Sequence, residues 1–175
     1  MENQLFVRLA EKDDLPRIEQ VIAQARARIG ALGIDQWQDG SPSMATVEKD
    51  LEKRQGYALV LGDTVCGYFA LLTEEEPAYD QIAETWEGAK ENSVTIHRVA
   101  VCDDVQGKGM GRAMMLEAET IAKAFDRHFI RIDTHEGNRV MRAFLGKLGY
   151  VYRGEVFYAD IVSPTKTRLC FEKKL

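Results

Sequence analysis

Apolar and polar positions change period several times along the chain, and each change marks an element. Residues 4–9 (QLFVRL) alternate loosely and predict a first strand. Asp13-Asp14-Leu15-Pro16 then opens a helix, because Asp is a favoured N-cap and Pro is tolerated in the first turn. Ile18, Val21, Ile22, Ala25 and Ile29 follow at helical spacing as one apolar stripe, ended by Gly30 and Gly33. Residues 33–43 read as a loop holding Trp37, and residues 44–54 as a second helix. Residues 57–61 and 65–72 are β-branched or aromatic runs joined by Gly62-Asp63, a hairpin signal.

Residues 73–92 break the pattern. They are polar and acidic, carry Trp86, and predict an insertion that is helical in part. Residues 93–101 (SVTIHRVAV) form a strong strand, followed by a glycine-rich turn over 106–111. A helix over 112–125 places Met114, Ala118, Ile121, Ala122 and Phe125 on one face. A short strand over 129–133 precedes a helix over 138–148 that Gly149 terminates. Strands over 151–158 and 167–171 complete the order β-α-α-β-β-β-α-β-α-β-β. That order predicts an α/β (α+β) fold with a mixed sheet of about seven strands and about four helices. At 175 residues, with no repeat or linker, it predicts a single domain over 1–175.

Charge and cysteines narrow the function. A formal net charge of −5 argues against nucleic acid as the main partner, since that affinity needs a basic surface. No apolar run reaches the roughly 20 residues of a membrane helix. Met1-Glu2-Asn3-Gln4 lacks the layout of a secretory leader. Cys66, Cys102 and Cys170 are odd in number, far apart and without a CxxC pair, so neither zinc nor a disulfide framework is expected. They read as small buried residues in a cytoplasmic protein.

The chemistry concentrates between Val99 and Arg112. Here a strand feeds a glycine-rich turn and then an amphipathic helix. Glycines admit positive φ and close approach of a ligand. The first N–H groups of the next helix lack partners and, with the helix dipole, favour an anion. Lys108 and Arg112 add positive charge. A Walker loop would need Ser or Thr after Lys108, where Gly109 stands. The Gly107-x-Gly109-x-Gly111 spacing also departs from the dinucleotide fingerprint. A phosphate site and a plain strand-to-helix connector both remain open on the residues alone.

Gln106-x-x-Gly109-x-Gly111, following Val99-Ala100-Val101, resembles the acyl-CoA-binding signature of the GNAT family of N-acetyltransferases. The helix from Asn138 to Tyr150 (NRVMRAFLGKLGY) is similar to that family's Asn-containing helix, and the element order matches from Gln4 onward. Gln36-Trp37-Gln38-Asp39-Gly40 and Thr95-Ile96-His97-Arg98 resemble a bacterial subset of unassigned substrate.

The resemblance implies an acetyl-CoA-dependent transfer to an amine of a small molecule or peptide. The backbone of Val99, Ala100 and Val101 would pair with the pantetheine arm. Amides of Gly107, Lys108, Gly109, Met110, Gly111 and Arg112, after Gln106, would hold the pyrophosphate, and Asn138 would touch the cofactor. A homodimer is compatible with such a fold.

Attack by an amine requires a base. Strand parity puts Thr95, His97, Val99 and Val101 on one face, and Arg131, Asp133 and His135 on one face of the next strand. The base candidates are His97, Asp133 and His135, each of which could instead serve a hydrogen bond inside the sheet. The family's general-acid Tyr position holds Leu145, which leaves Tyr150, Tyr152 or Tyr158 as acid, or an unassisted thiolate. Trp37, Trp86 and Tyr158 are the candidate acceptor-pocket residues, the tryptophans alternatively plugging loops onto the core. Two other functions remain: a non-catalytic acyl-CoA binder and a nucleotide binder.

Overall fold

The computed structural model describes residues 4–175, so Met1, Glu2 and Asn3 of the leader expectation lie outside the described residues. Seven strands form one sheet: β1 Leu5–Leu9, β2 Gly56–Leu61, β3 Thr64–Leu72, β4 Ser93–Val101, β5 Phe129–Thr134, β6 Val151–Phe157 and β7 Thr167–Lys174. Four α-helices accompany them: α1 Leu15–Ala31, α2 Met44–Glu52, α3 Met110–Ala124 and α4 Arg139–Lys147. The strand order is β1-β2-β3-β4-β5-β7-β6. Among the described residues, only β4 and β5 pair in parallel. The mixed sheet and the element order therefore match the sequence expectation.

Two apolar layers hold the sheet. Ile18 and Ile22 of α1 and Val47 of α2 pack with Ala58, Val60 and Tyr68. Met114, Met115, Ala118 and Ala122 of α3 join Leu145 of α4 in the larger cluster with Phe69, Leu71, Ile96 and Ile130. Complete burial of one such side chain contributes about 1.5–3 kcal/mol. The three cysteines are buried and unpaired.

Some boundaries move for local reasons. α1 runs through Gly30 to Ala31, and the chain turns at Gly33, where φ is +76°. Asp14 precedes α1 but does not cap it with its side chain. Its carboxylate is committed elsewhere, accepting from Arg8 at 2.6 and 2.9 Å and from the Glu11 N–H at 2.8 Å. α3 begins at Met110, two residues earlier than the apolar stripe indicates.

Residues 73–92 hold two 3-10 segments, Pro77–Thr85 and Lys90–Asn92, rather than an α-helix. They lie against β5, β6 and β7. Tyr79 packs with Val156 and Cys170, and Trp86 packs against Tyr79 at a 41° tilt with 5.1 Å between ring centres. Arg131 spreads over the Trp86 ring at 4.3 Å and bonds Glu172 at 3.0 Å. Glu172 also accepts the N–H groups of Glu87 and Gly88.

One local feature overturns the expected parity. Ala70 faces His97 and Tyr68 faces Ala100, so Phe69 alone stands opposite both Arg98 and Val99. This is a β-bulge, and Arg98 takes a left-handed φ of +58° within it. Facing residues point to the same side of a sheet. His97 therefore shares a face with Ala100, and Val101, opposite Gly67, joins the face of Ile96. The alignment of Thr95, His97, Val99 and Val101 holds through His97 and fails at Val101.

Candidate active site

β4 and β5 face each other only at Ser93–Phe129, Val94–Ile130 and Thr95–Arg131. Beyond that point β4 continues to Val101 and β5 to Thr134 without mutual pairing. An open wedge results, with a cavity of about 310 Å³ between the strands and the 33–43 loop. His97, Asp133, Asn138, Trp37, Tyr158 and Arg168 are among its lining residues.

The glycine turn stands at the C-terminal end of β4. Gly107 and Gly109 take φ of +75° and +79°, a region costly for residues with a Cβ. A Cβ at either position would meet no atom within 4 Å, so the space over the turn is open. The Ala113 N–H bonds the Gly109 carbonyl at 3.0 Å and begins the α3 ladder. The N–H groups of Met110, Gly111 and Arg112 precede it and have no partner within the helix. Gln106, Lys108 and Arg112 are exposed around this end. The arrangement fits a pyrophosphate: free amides, a helix N-terminus and two cations.

α1 holds the turn in place. Arg28 donates to the Asp103 carboxylate and the Val101 carbonyl, and the Gln24 side chain accepts the Asp103 N–H at 3.0 Å. On the far wall, Asn138 caps α4, its Oδ1 accepting the Met141 N–H at 3.1 Å.

The base candidates separate clearly. His97 is half-buried, with Nε2 3.4 Å from Glu76 Oε2. Burial pushes the Glu76 carboxyl up, but His97, the Ala78 N–H and Arg98 outweigh it and hold the group below its ordinary range. Asp133 Oδ2 accepts the phenols of Tyr79 at 2.8 Å and Tyr158 at 2.9 Å. Burial, then the Asp133 charge, pushes both phenols well above their ordinary value. His135 lies past the end of β5, buried, with Nδ1 accepting the Gly137 N–H at 2.9 Å and Nε2 3.0 Å from Asp35. It is outside the lining of the cavity. Asp35 in turn accepts the Thr165 N–H at 2.6 Å.

The remaining candidates also divide. Trp37 lines the cavity, held in a left-handed turn at φ +65°. Trp86 sits beneath Tyr79, outside the lining, and donates to the Tyr79 carbonyl at 3.1 Å. Leu145 is wholly buried among the α3–α4 contacts. Tyr150 is buried with a phenol that has no hydrogen-bond partner among the described residues. Tyr152 is half-exposed and packs edge-on against Phe171. Tyr158 alone of the three tyrosines lines the cavity.

Sequence reading missed Glu76, Tyr79 and Arg168. Glu76 stands in an acidic run that reads as solvated, and only its neighbour Pro77 marks a turn toward the sheet. The cysteines stay outside the cavity, and burial pushes the Cys66 thiol up to about 11.

A model of the Acetyltransferase (GNAT) family matches residues 18–150. No curated protein matches the chain. Among solved structures, a GNAT-family acetyltransferase from Streptococcus agalactiae 2603 is similar, with a TM-score of 0.85 and 28% identity, covering 100% of this chain and 98% of that one. A Bacillus subtilis acetyltransferase in complex with CoA has a TM-score of 0.63 and 18% identity, over 99% of each chain. The Salmonella typhimurium protein yncA, described as a putative acetyltransferase with its cofactor acetyl-CoA, has a TM-score of 0.68 and 16% identity. That match covers 98% of this chain and 94% of yncA. The last two share the fold. With the family match spanning most of the chain, and the open β4–β5 wedge ending at a glycine turn, the protein belongs to the GNAT family of acetyltransferases, which use acetyl-CoA.

Proposed function

We propose that the protein transfers an acetyl group from acetyl-CoA to a primary amine of a small molecule or peptide, by direct attack in a ternary complex. The observation that carries this reading is the end of β4–β5 pairing at Thr95–Arg131, which opens a cavity holding both His97 and Asp133. Bound acetyl-CoA supplies a thioester carbonyl for attack and a thiolate that leaves. Amides from Gly107 to Arg112 would hold its pyrophosphate at the start of α3, and the β5-facing edge of Val99, Ala100 and Val101, left without a strand partner on that side, would run along its arm. Asn138 borders the same wedge.

His97 is the base. A free amine carries a proton up to a pKa of about 10, so the proton must be removed near the site. Glu76 lies 3.4 Å from Nε2, so Nδ1 is the nitrogen that would take the proton. Asp133 holds positive charge at the amine, its Oδ1 free of hydrogen bonds to the described residues while Oδ2 is held by two phenols. A backbone N–H on the β5-facing edge of β4 beyond Thr95 would donate to the carbonyl oxygen as charge grows there. Tyr158 donates to Asp133, and its raised pKa makes it a poor acid. No side chain is assigned as acid for the leaving thiolate, which a thiol pKa of about 8.5 would make a fair leaving group. No cysteine lines the cavity, which favours direct transfer over an acyl-cysteine.

The test pairs calorimetry with a thiol-release assay over a panel of amines. His97→Gln is expected to lower kcat by about 10²–10³ while acetyl-CoA affinity stays within about 3-fold. Tight acetyl-CoA binding with no turnover on any amine would instead favour a non-catalytic acyl-CoA binder, consistent with Leu145 at the family's acid position. ATP displacing acetyl-CoA would favour a nucleotide binder.

A further inference from the structure

Arg168 is the charge in the cavity that the proposed reaction leaves unused. It lies on β7, two residues before Cys170, which faces Asp133. Alternation puts Arg168 on the same sheet face as Asp133, about 7 Å farther along the strand. It is only 7% exposed. Nη1 donates to the carbonyls of Thr165 at 2.7 Å and Thr167 at 2.9 Å. Nε and Nη2 make no hydrogen bond to a described residue. No carboxylate of the described residues pairs with this guanidinium.

Arg8, Arg98 and Arg131, by contrast, each face a carboxylate: Asp14 at 2.6 Å, Asp50 at 3.3 Å and Glu172 at 3.0 Å. A charge buried without a counter-charge is costly unless something else answers it. Arg168 lines the cavity and keeps N–H groups with no partner among the described residues, and a guanidinium fork matches a carboxylate. The opposite end of the same face offers Asp133 and His97 to an amine.

We infer that the acceptor is a free amino acid, with its carboxylate on Arg168 and its amine between Asp133 and His97. This rests on the transferase reading above. A compact zwitterion satisfies both charges across one strand step. A peptide N-terminus lacks a carboxylate beside its amine and leaves Arg168 unanswered.

The experiment compares L-amino acids with their decarboxylated amines, using the intact protein and Arg168→Gln and Arg168→Lys. The wild type is expected to favour the amino acid in kcat/KM by about 30-fold, the scale of one charged hydrogen-bonded contact. Arg168→Gln loses that preference and leaves the decarboxylated amine within about 3-fold of wild type, while Arg168→Lys keeps part of it. Equal rates on both amine classes, or an equal fall on both in Arg168→Gln, would overturn the inference and leave the transferase reading standing. If no amine is acetylated, the transferase reading falls and calorimetry on CoA-loaded protein decides. Amino-acid binding that Arg168→Gln abolishes supports the inference, and no such binding overturns it.

Discussion

Thr95 and Arg131 are the last facing pair of the parallel β4–β5 ladder. His97 and Asp133 each lie two residues farther on, so the register puts both on one face while the strands separate between them. The pairing therefore orients the two groups, and its ending makes room for a substrate. A ladder that continued would fill the same space with hydrogen bonds.

Gly109→Ala separates cofactor binding from folding. A Cβ there has open space, so only the positive φ of +79° opposes it, at about 1–2 kcal/mol. The expected outcome is a small loss in Tm with acetyl-CoA affinity down tenfold or more, since the turn that aims the amides is distorted. Gly111→Ala, where φ is helical and the nearest atom is Phe144 Cζ at 3.6 Å, serves as the mild control in the same titration.

Glu172→Gln tests how the 73–92 segment is anchored. Glu172 is fully buried and binds Arg131, itself 5% exposed, as well as two backbone N–H groups. Breaking one side of such a pair strands a buried charge, which costs about 3–5 kcal/mol. Urea unfolding should show that loss, with faster proteolysis between residues 73 and 92.

Tyr150→Phe should not destabilise the protein. Its buried hydroxyl has no partner among the described residues, and burial pushes the phenol pKa up. Removing an unsatisfied buried group is expected to be neutral or to add about 1 kcal/mol. Unchanged kcat in the same variant would agree with an acid role lying elsewhere or nowhere.

Asp14→Asn probes acid stability. The Arg8 hydrogen bond, against the opposing pull of burial, holds the Asp14 carboxyl below its ordinary value of 3.8. A lowered folded pKa stabilises the protein above that value, and the effect is lost as pH falls through the folded one. Wild type and variant should differ by about 1 kcal/mol near neutral pH, a modest figure because Arg8 is partly solvated. Denaturation curves at falling pH should converge below 3.8.

The sequence by itself determined the order of elements and the location of the glycine turn. Periodicity marks an apolar face wherever a helix or strand must bury one, and glycine at 107 and 109 admits the positive φ that the turn takes there. Tertiary structure decided the rest. The bulge at Arg98 puts a non-glycine residue at positive φ, a conformation that no local preference selects and only strand pairing enforces. That one extra residue sent Val101 to the opposite face from His97. Glu76 reached His97, and Tyr79 reached Asp133, because the 73–92 segment folds back on the sheet, where its acidic composition predicts a solvated surface. Arg168 became a cavity charge because β7 inserts between β5 and β6, a crossover set by long-range pairing rather than by any neighbour in the chain.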